Sequence, residues 1–319
     1  MKTYCTCFDS NYLFKGLALY HSLVRHAPDS TLWVLCLDRT TERVLERLAL
    51  PGMRILPIDA LEAAEPRLRG ARQDRTRIEY YFTVTPAFVW HLLTRDPGDV
   101  PITYLDADLY FFASPRLLLE ESLTGSVSIL GHRFPPKLQH LEKYGIYNVS
   151  WLTFRNDPAA RECLAWWRNR CIEWCHDRLE DGKFADQKYL DDWPTRFKDV
   201  HVIAHPGAGL APWNVVAHQI RMGQDGLTVD GSPLVFYHFH AFKRVLTWLF
   251  DPALARYGAR LTPEVRGFLY LPYLTELRKV ERALRNDVPE FSGGWGSARG
   301  AGLRSFLSQA MRRQLLVAP

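Results

Sequence analysis

Tyr104-Leu105-Asp106-Ala107-Asp108-Leu109-Tyr110-Phe111 places two carboxylates two residues apart, directly after the apolar stretch Ile102-Thr103-Tyr104-Leu105 and directly before a second apolar run. Where a strand ends the chain bends, and both side chains can turn toward one point. Two hard oxygen ligands suit Mg2+ or Mn2+, ions that are usually held by a few carboxylates together with substrate phosphates. An unpaired charge in apolar surroundings is very costly, so two acids in this setting call for a cation. The ordinary alternative is a solvated turn with two unremarkable aspartates, and the apolar flanks weigh against it.

Upstream of this motif, strand-like and helix-like segments alternate. Thr3–Phe8 reads as a strand, Asn11–His26 as a helix (Leu13, Leu17, Leu19 and Leu23 at helical spacing), and Thr31–Leu37 as a continuous apolar strand. Thr41–Leu50 predicts a helix, Met53–Ile58 a short strand, and Thr76–Leu93 a long helix that Pro86 should kink or break. Pro101–Leu105 is the next strand. Such alternation predicts parallel βαβ units and a doubly wound α/β sheet, in which ligands bind beyond the carboxyl ends of the strands. Asp9 and Asp106 both fall at such ends. Downstream, Ser126–Leu130, Asn148–Phe154, His201–Ala204 and Leu234–Phe239 predict strands, and Pro158–Arg178 a long helix. Beyond residue 255 the pattern is helical and loop-like. Ser292–Gly302 has linker composition, and Leu303–Val317 predicts a terminal helix. The resulting division is a domain over 1–255, a helical extension over 256–290, and a linker with a basic amphipathic tail over 291–319.

Composition bounds the function. The chain has 319 residues, 47% hydrophobic and 24% charged, enough for a sizeable core. No apolar run is long enough to cross a bilayer, and the start MKTYCTCFDS lacks signal-peptide architecture, so a cytoplasmic location is the expectation. Cys5, Cys7, Cys36, Cys163, Cys171 and Cys175 match no zinc spacing and read as reduced thiols. Net charge is +5. Arg299, Arg304, Arg312 and Arg313 supply most of that excess from the tail, where Phe291 to the end holds no acid. The body lacks the basic stripe with exposed aromatics that nucleic-acid binding wants.

A second element lies far downstream at another strand end, Phe236-Tyr237-His238-Phe239-His240-Ala241-Phe242-Lys243. A histidine can complete a metal shell begun by carboxylates, and a lysine a few residues on can bind phosphate as a point charge. Alternation sends His238 and His240 to the same face, so either is a candidate third ligand. Taken alone, a core histidine beside a surface lysine is the plainer reading; beside the paired aspartates it is not.

With these motifs in place the sequence resembles the GT-A nucleotide-diphospho-sugar transferases, and within them glycosyltransferase family 8, the glycogenin and bacterial lipopolysaccharide galactosyltransferase group. The resemblance spans Thr3 to Lys243. It implies a GT-A (Rossmann-like) fold with a mostly parallel central sheet flanked by helices, and here a C-terminal helical extension. It implies that Thr6, Asp9, Ser10 and Tyr12 hold the nucleoside, that Arg77 contacts the donor, and that Asp106 and Asp108 ligate Mn2+ or Mg2+. Tyr147-Asn148-Val149-Ser150 matches the family's asparagine-led strand, and Pro212-Trp213-Asn214 its Trp-Asn segment. Phe184-Ala185-Asp186-Gln187 matches its acidic-Gln element, which places Asp186 and Gln187 near the transferred sugar. His238 corresponds to the third metal ligand and Lys243 to the phosphate lysine. The family's H-x-x-G-x-x-K-P-W is altered: the histidine-to-lysine spacing is one shorter, the glycine is absent and Arg244 stands for proline.

The expected activity is divalent-metal-dependent transfer of a sugar from a nucleotide-diphospho-sugar, a UDP-sugar foremost, to a glycan or lipid-linked acceptor, with retention of anomeric configuration as the resemblance implies. The setting would be polysaccharide biosynthesis. Two other readings share the fold: a nucleotidyltransferase that makes a nucleotide-sugar, and a non-catalytic nucleotide-sugar-binding protein. Nucleotidyltransferases usually carry a glycine-rich basic loop after the first strand, which CTCFDSNYLFKG is not. Leu303, Phe306, Leu307, Ala310 and Met311 fall on one helical face among Arg304, Arg312 and Arg313, so the tail predicts a peripheral membrane contact, with a helix packed on the body or a disordered tail as the equal alternative. Trp166, Trp167, Trp174 and Trp193 read as core, with stacking on acceptor sugars as the lesser reading.

Overall fold

The computed structural model describes residues 2–95, 100–295 and 314–317. A mixed seven-stranded sheet forms its centre. Its first half comprises β1 (Lys2–Phe8), α1 (Leu13–His26), β2 (Ser30–Cys36), α2 (Arg39–Leu48), β3 (Met53–Pro57), α3 (Ile58–Ala64), α4 (Arg67–Arg72), α5 (Arg77–Arg95) and β4 (Ile102–Leu105). After a short strand β5 (Leu109–Phe111) come α6 (Arg116–Ser122), β6 (Val127–Gly131), β7 (Tyr147–Phe154), α7 (Pro158–Glu173), α8 (Trp193–Arg196) and β8 (Val200–Val202). The strand order is β3-β2-β1-β4-β7-β6-β8. Only β7 runs antiparallel to its neighbours. This is the mostly parallel α/β sheet that the alternating pattern predicts.

Strand periodicity explains the layers. On β1, Tyr4 and Phe8 face one apolar cluster, shared with α1, whereas Cys5 faces the other, built on α5 and α7. Local chemistry sets the helix ends. The Asp38 carboxylate accepts the Thr41 amide at the start of α2 and the Asp157 carboxylate accepts the Ala160 amide at the start of α7. Gly16 lets α1 lie close on the sheet, because a Cβ there would fall 2.3 Å from the Phe8 ring.

Several elements differ from expectation. The helix α5 runs through Pro86 without a break; the residue lies in a wholly buried stretch from Thr83 to Val89, where tertiary packing outweighs one lost backbone hydrogen bond. The helix α7 stops at Glu173, not Arg178, because Trp174 adopts extended backbone angles. Beyond β8 the chain forms a small sheet of β9 (Ile220–Gly223), β10 (Gly226–Val229) and β11 (Ser232–Pro233), then β12 (Phe236–His238). Next come β13 (Lys243–Leu246), β14 (Leu249–Asp251) and the helix α9 (Leu271–Asp287), whose Tyr273, Leu274 and Leu277 join the cluster that contains α1. Leu303–Val317 is not helical to its end: Leu316–Val317 form β15, which pairs antiparallel with β14 and buries Leu316. The tail residues Leu303, Phe306, Leu307, Ala310 and Met311 and their arginines lie outside the described residues. Among the described residues no helix is long and apolar enough to cross a membrane. All six cysteines are free, and Trp167 and Trp193 are fully buried, while Trp166 and Trp174 pack at the edge of the same core.

Candidate active site

In the central sheet the order of connection reverses between β1 and β4, which are adjacent and parallel. The crevice beyond their carboxyl ends is where a doubly wound sheet binds its ligand. Asp9 follows β1 there and Asp106 follows β4. The chain then turns, and β5 pairs antiparallel with β12, with His238 opposite Leu109. The Phe239 amide donates to the Asp108 carbonyl at 2.9 Å. This ladder, more than a hundred residues apart in sequence, carries His238 to the paired aspartates.

The result is a compact cluster. One ligand atom from each of Asp106, Asp108 and His238 lies within 4.8 Å of the others, and among the described residues it is the only such group of histidine, cysteine and acidic side chains. His238 Nε2 is 3.0 Å from Asp108 Oδ1 and 3.7 Å from Asp106 Oδ2. His238 Nδ1 is buried and has no hydrogen-bond partner among the described residues, so the ring's polar engagement is with the carboxylates alone. Crowding and burial perturb all three. Burial, then the charge of Asp108, pushes Asp106 up to about 6, although His238 and the Tyr104 hydroxyl oppose this. Burial also acts to raise Asp108, yet His238 and Lys15 outweigh it and hold that carboxyl well below the usual range. Burial acts to lower His238, but Asp108 and Asp106 reverse the effect and its pKa is raised. One buried and one half-buried carboxylate and a buried imidazole with a shared focus fit a hard divalent cation.

His240 is not in that focus. Its ring sits 5.5 Å from that of His238, against Trp213 and Tyr257, and burial followed by the His238 charge lowers it to about 4. Ala241 comes next with φ of 56°, a left-handed conformation in the turn that follows β12.

The other expected residues fall into three groups. Asp186 joins the cluster's rim. Burial, then the charge of Asp106, pushes it up to about 8. It is held by a local device: Ala185 takes a left-handed φ of 46°, its amide donates to the His176 carbonyl (2.9 Å), and Trp167 Nε1 donates to the Asp186 carbonyl (2.8 Å). Gln187 points the other way, donating through Nε2 to the Tyr144 carbonyl (3.0 Å). Asp9, Tyr12 and Arg77 form a second group. Asp9 is buried and accepts from the amides of Asn11 (3.0 Å) and Tyr12 (3.3 Å) and from the Tyr81 hydroxyl (3.0 Å). Arg77, largely exposed, sits 3.6 Å from the same carboxylate. Ser10 donates to Asp38 instead, and Thr6 is fully buried with its hydroxyl unpartnered among the described residues.

Lys243 forms the third group by itself. It is 42% exposed and pairs with Asp251 at 3.6 Å. The cation that does reach the cluster is Lys15, whose ammonium lies 3.6 Å from Asp108 Oδ2 and 4.1 Å from the centre of the Tyr12 ring. Sequence reasoning misses it. The available signal is a single charge in Leu13-Phe14-Lys15-Gly16-Leu17-Ala18-Leu19-Tyr20, otherwise a wholly apolar stretch. His132 is missed as well. It is buried, and that burial lowers it to about 3. Asn148 Nδ2 donates to its Nε2 (3.1 Å), and Trp213 Nε1 (2.7 Å) and Asn214 Nδ2 (3.1 Å) donate to its carbonyl. This joins the asparagine-led strand to the Trp-Asn segment and sets the Trp213 ring 5.5 Å from His238.

No family model matches the chain. The uncharacterized protein YfnD of Bacillus subtilis (strain 168) is 29% identical over 295 residues, 92% of this chain and 94% of that protein. The uncharacterized protein YfnF of the same organism is 35% identical over 253 residues, 76% of this chain and 82% of that protein. Among solved structures, the galactosyltransferase LgtC in complex with donor and acceptor sugar analogs superposes with a TM-score of 0.54 at 17% identity, over 84% of this chain and all of LgtC. An active-site mutant of LgtC gives a TM-score of 0.52 at 16% identity over the same 84%. The chain therefore belongs to the family of YfnF, and its fold is the GT-A fold of nucleotide-diphospho-sugar transferases.

Proposed function

We propose that the chain is a divalent-metal-dependent glycosyltransferase that moves a sugar from a nucleotide-diphospho-sugar, a UDP-sugar foremost, to a hydroxyl of a glycan or lipid-linked acceptor. The observation that carries the reading is the Asp106/Asp108/His238 cluster at the sheet's switch point, the place where this architecture presents a ligand to its strand ends. The fold shared with LgtC, itself seen with donor and acceptor sugar analogs, supports it.

The three side chains would hold Mn2+ or Mg2+, which when bound neutralises the diphosphate and helps it leave. Asp9, Tyr12 and Arg77, grouped at the end of β1, would face the nucleoside. Asp186, buried and near enough to Asp106 to feel its charge, would lie beside the transferred sugar. In the reaction the bond from the anomeric carbon to the phosphate oxygen breaks and a bond from that carbon to the acceptor oxygen forms. In this reading the acceptor proton passes to the departing phosphate, as in a retaining transfer. Lys15, already directed at Asp108, is the cation in position to offset the departing negative charge. Lys243 pairs with Asp251 instead.

A screen of UDP-, GDP- and CDP-sugars for metal-dependent sugar release tests the reading. Release that requires Mn2+ or Mg2+ and stops with EDTA is expected. Full activity with EDTA present would sink the metal assignment, and tight donor binding without any release would favour a binding protein. The nucleotidyltransferase reading gains nothing from the structure: Asp9-Ser10-Asn11-Tyr12 after β1 offers a loop closed by its own Asp9 carboxylate, not a glycine-rich cradle.

A further inference from the structure

Thr76-Arg77-Ile78-Glu79, where α5 begins, has the threonine-x-x-glutamate pattern of a helix start. The Thr76 amide donates to Glu79 Oε2 at 2.7 Å, and the Glu79 amide donates to the Thr76 hydroxyl at 3.4 Å. By these contacts alone Glu79 caps a helix. Its other oxygen points elsewhere. Glu79 Oε1 accepts the amide of Asp177, 98 residues downstream, at 2.9 Å, and lies 3.3 Å from His176 Nδ1. Glu79 and His176 are both buried. Burial acts to raise the Glu79 carboxyl, yet the amides of Thr76 and Asp177 outweigh it and hold it at about 2. At neutral pH it is therefore an ionised acceptor with both oxygens engaged.

His176 and Asp177 lie near the start of the loop that runs from α7 to Asp186. From Trp174 to Ala185 this loop contains neither helix nor strand, only the isolated bridge between Glu180 and Lys183. No continuous backbone ladder fixes it, so side chains from neighbouring elements must. The loop closes on itself where the His176 carbonyl accepts the Ala185 amide at 2.9 Å, and Ala185, with φ of 46°, leads directly into Asp186. Glu79 holds this closure at His176 and Asp177. The same end of α5 also reaches Asp9: Arg77 is 3.6 Å from its carboxylate, and the Tyr81 hydroxyl donates to it at 3.0 Å. One helix start thus contacts both the group at the end of β1 and the loop that ends in Asp186. We propose that Glu79 is a positioning residue for sugar transfer: it tethers the Trp174–Ala185 loop to α5 and so fixes Asp186 relative to Asp9 and Arg77. This rests on the reading of Asp186 as a neighbour of the transferred sugar. Glu79 acts through His176, Asp177 and Ala185, not on the substrate.

Two variants of the full chain separate the cap from the tether. Thr76→Ala removes the hydroxyl half of the cap and leaves both Glu79 oxygens in place. Glu79→Gln keeps the shape but offers one oxygen where the carboxylate offers two, so it serves the Thr76 amide or the Asp177 amide and not both. Amide hydrogen exchange reads the tether. Peptides covering 174–186 should exchange about tenfold faster or more in Glu79→Gln, and within about twofold of the wild type in Thr76→Ala. Sugar release reads the consequence. With the UDP-, GDP- or CDP-sugar that the wild type cleaves, kcat should fall about tenfold or more in Glu79→Gln and stay within about twofold in Thr76→Ala. Both variants should keep the wild-type affinity for the nucleoside diphosphate with Mn2+, whereas a general loss of structure would lower binding and turnover together. Unchanged exchange in Glu79→Gln, or equal effects of the two variants, would overturn the tether. Faster exchange with unchanged kcat would overturn the positioning role. A wild type that releases no sugar from any donor would remove the proposed function and the role of Asp186 with it, and the exchange result would still decide whether Glu79 holds the loop.

Discussion

Replacing Asp108 by alanine removes a carboxylate that the structure uses twice. It pairs with His238 at 3.0 Å and Lys15 at 3.6 Å, both largely buried. Taking one member from a buried pair leaves an uncompensated charge, at a cost of about 3 kcal/mol. A chain of this size loses roughly 2 °C of melting temperature per kcal/mol, so the metal-free variant should melt about 6 °C below the wild type. The second effect is on ligand response. A ligand at a hundred times its dissociation constant stabilises the native state by about 2.7 kcal/mol. Mn2+ with UDP should therefore raise the wild-type midpoint by about 5 °C. The alanine variant has lost one of three ligands and should show almost none of that shift. Thermal unfolding monitored by circular dichroism, in EDTA and in Mn2+ with UDP, reads both numbers. An alanine variant that starts lower but gains the same shift as the wild type would refute the placement of the metal on Asp108.

His238→Ala should abolish the Mn2+-dependent shift, whereas His240→Ala should preserve it, because only His238 faces both carboxylates; the reverse pattern would move the third ligand to His240. On α9, Glu276 is held down at about 2 by a hydrogen bond from His21, then by Arg25, against its burial. A depressed carboxyl stabilises the fold above its ordinary pKa of about 4.5, and the contribution fades as pH falls from there toward 2. Glu276→Gln should therefore be less stable than the wild type at pH 7 and approach it as acid is added. Urea midpoints from pH 7 to pH 3 check this, and a constant difference across that range would contradict it.

The paired aspartates are legible in the sequence because their context is local: an apolar strand must end, and two acids at its end need a cation. The alternation of strands and helices over the first hundred residues is legible for the same reason, since period 2 and period 3.6 patterns are written in neighbouring residues. Pro86 shows the limit. A local rule predicts a break, and burial of the surrounding turns overrides it. Leu316–Val317 shows another, since a short strand exists only through the partner β14 that pairs with it.

By itself the sequence determined that Asp106 and Asp108 sit at a strand end beside an α/β crevice, and it narrowed the third ligand to His238 or His240. Tertiary structure brings His238, and not His240, to the two carboxylates, because the β5–β12 register sets His238 opposite Leu109 while His240, beyond the strand, packs on Trp213 and Tyr257. It also brings to the cluster a cation that the sequence reading did not name. Spacing along the chain pointed to Lys243, but Asp251 holds that side chain through the β13–β14 pairing, while Lys15 reaches Asp108 across the α1 contact. Charge pairs form between groups that the fold makes neighbours, and distance along the chain carries no information about that.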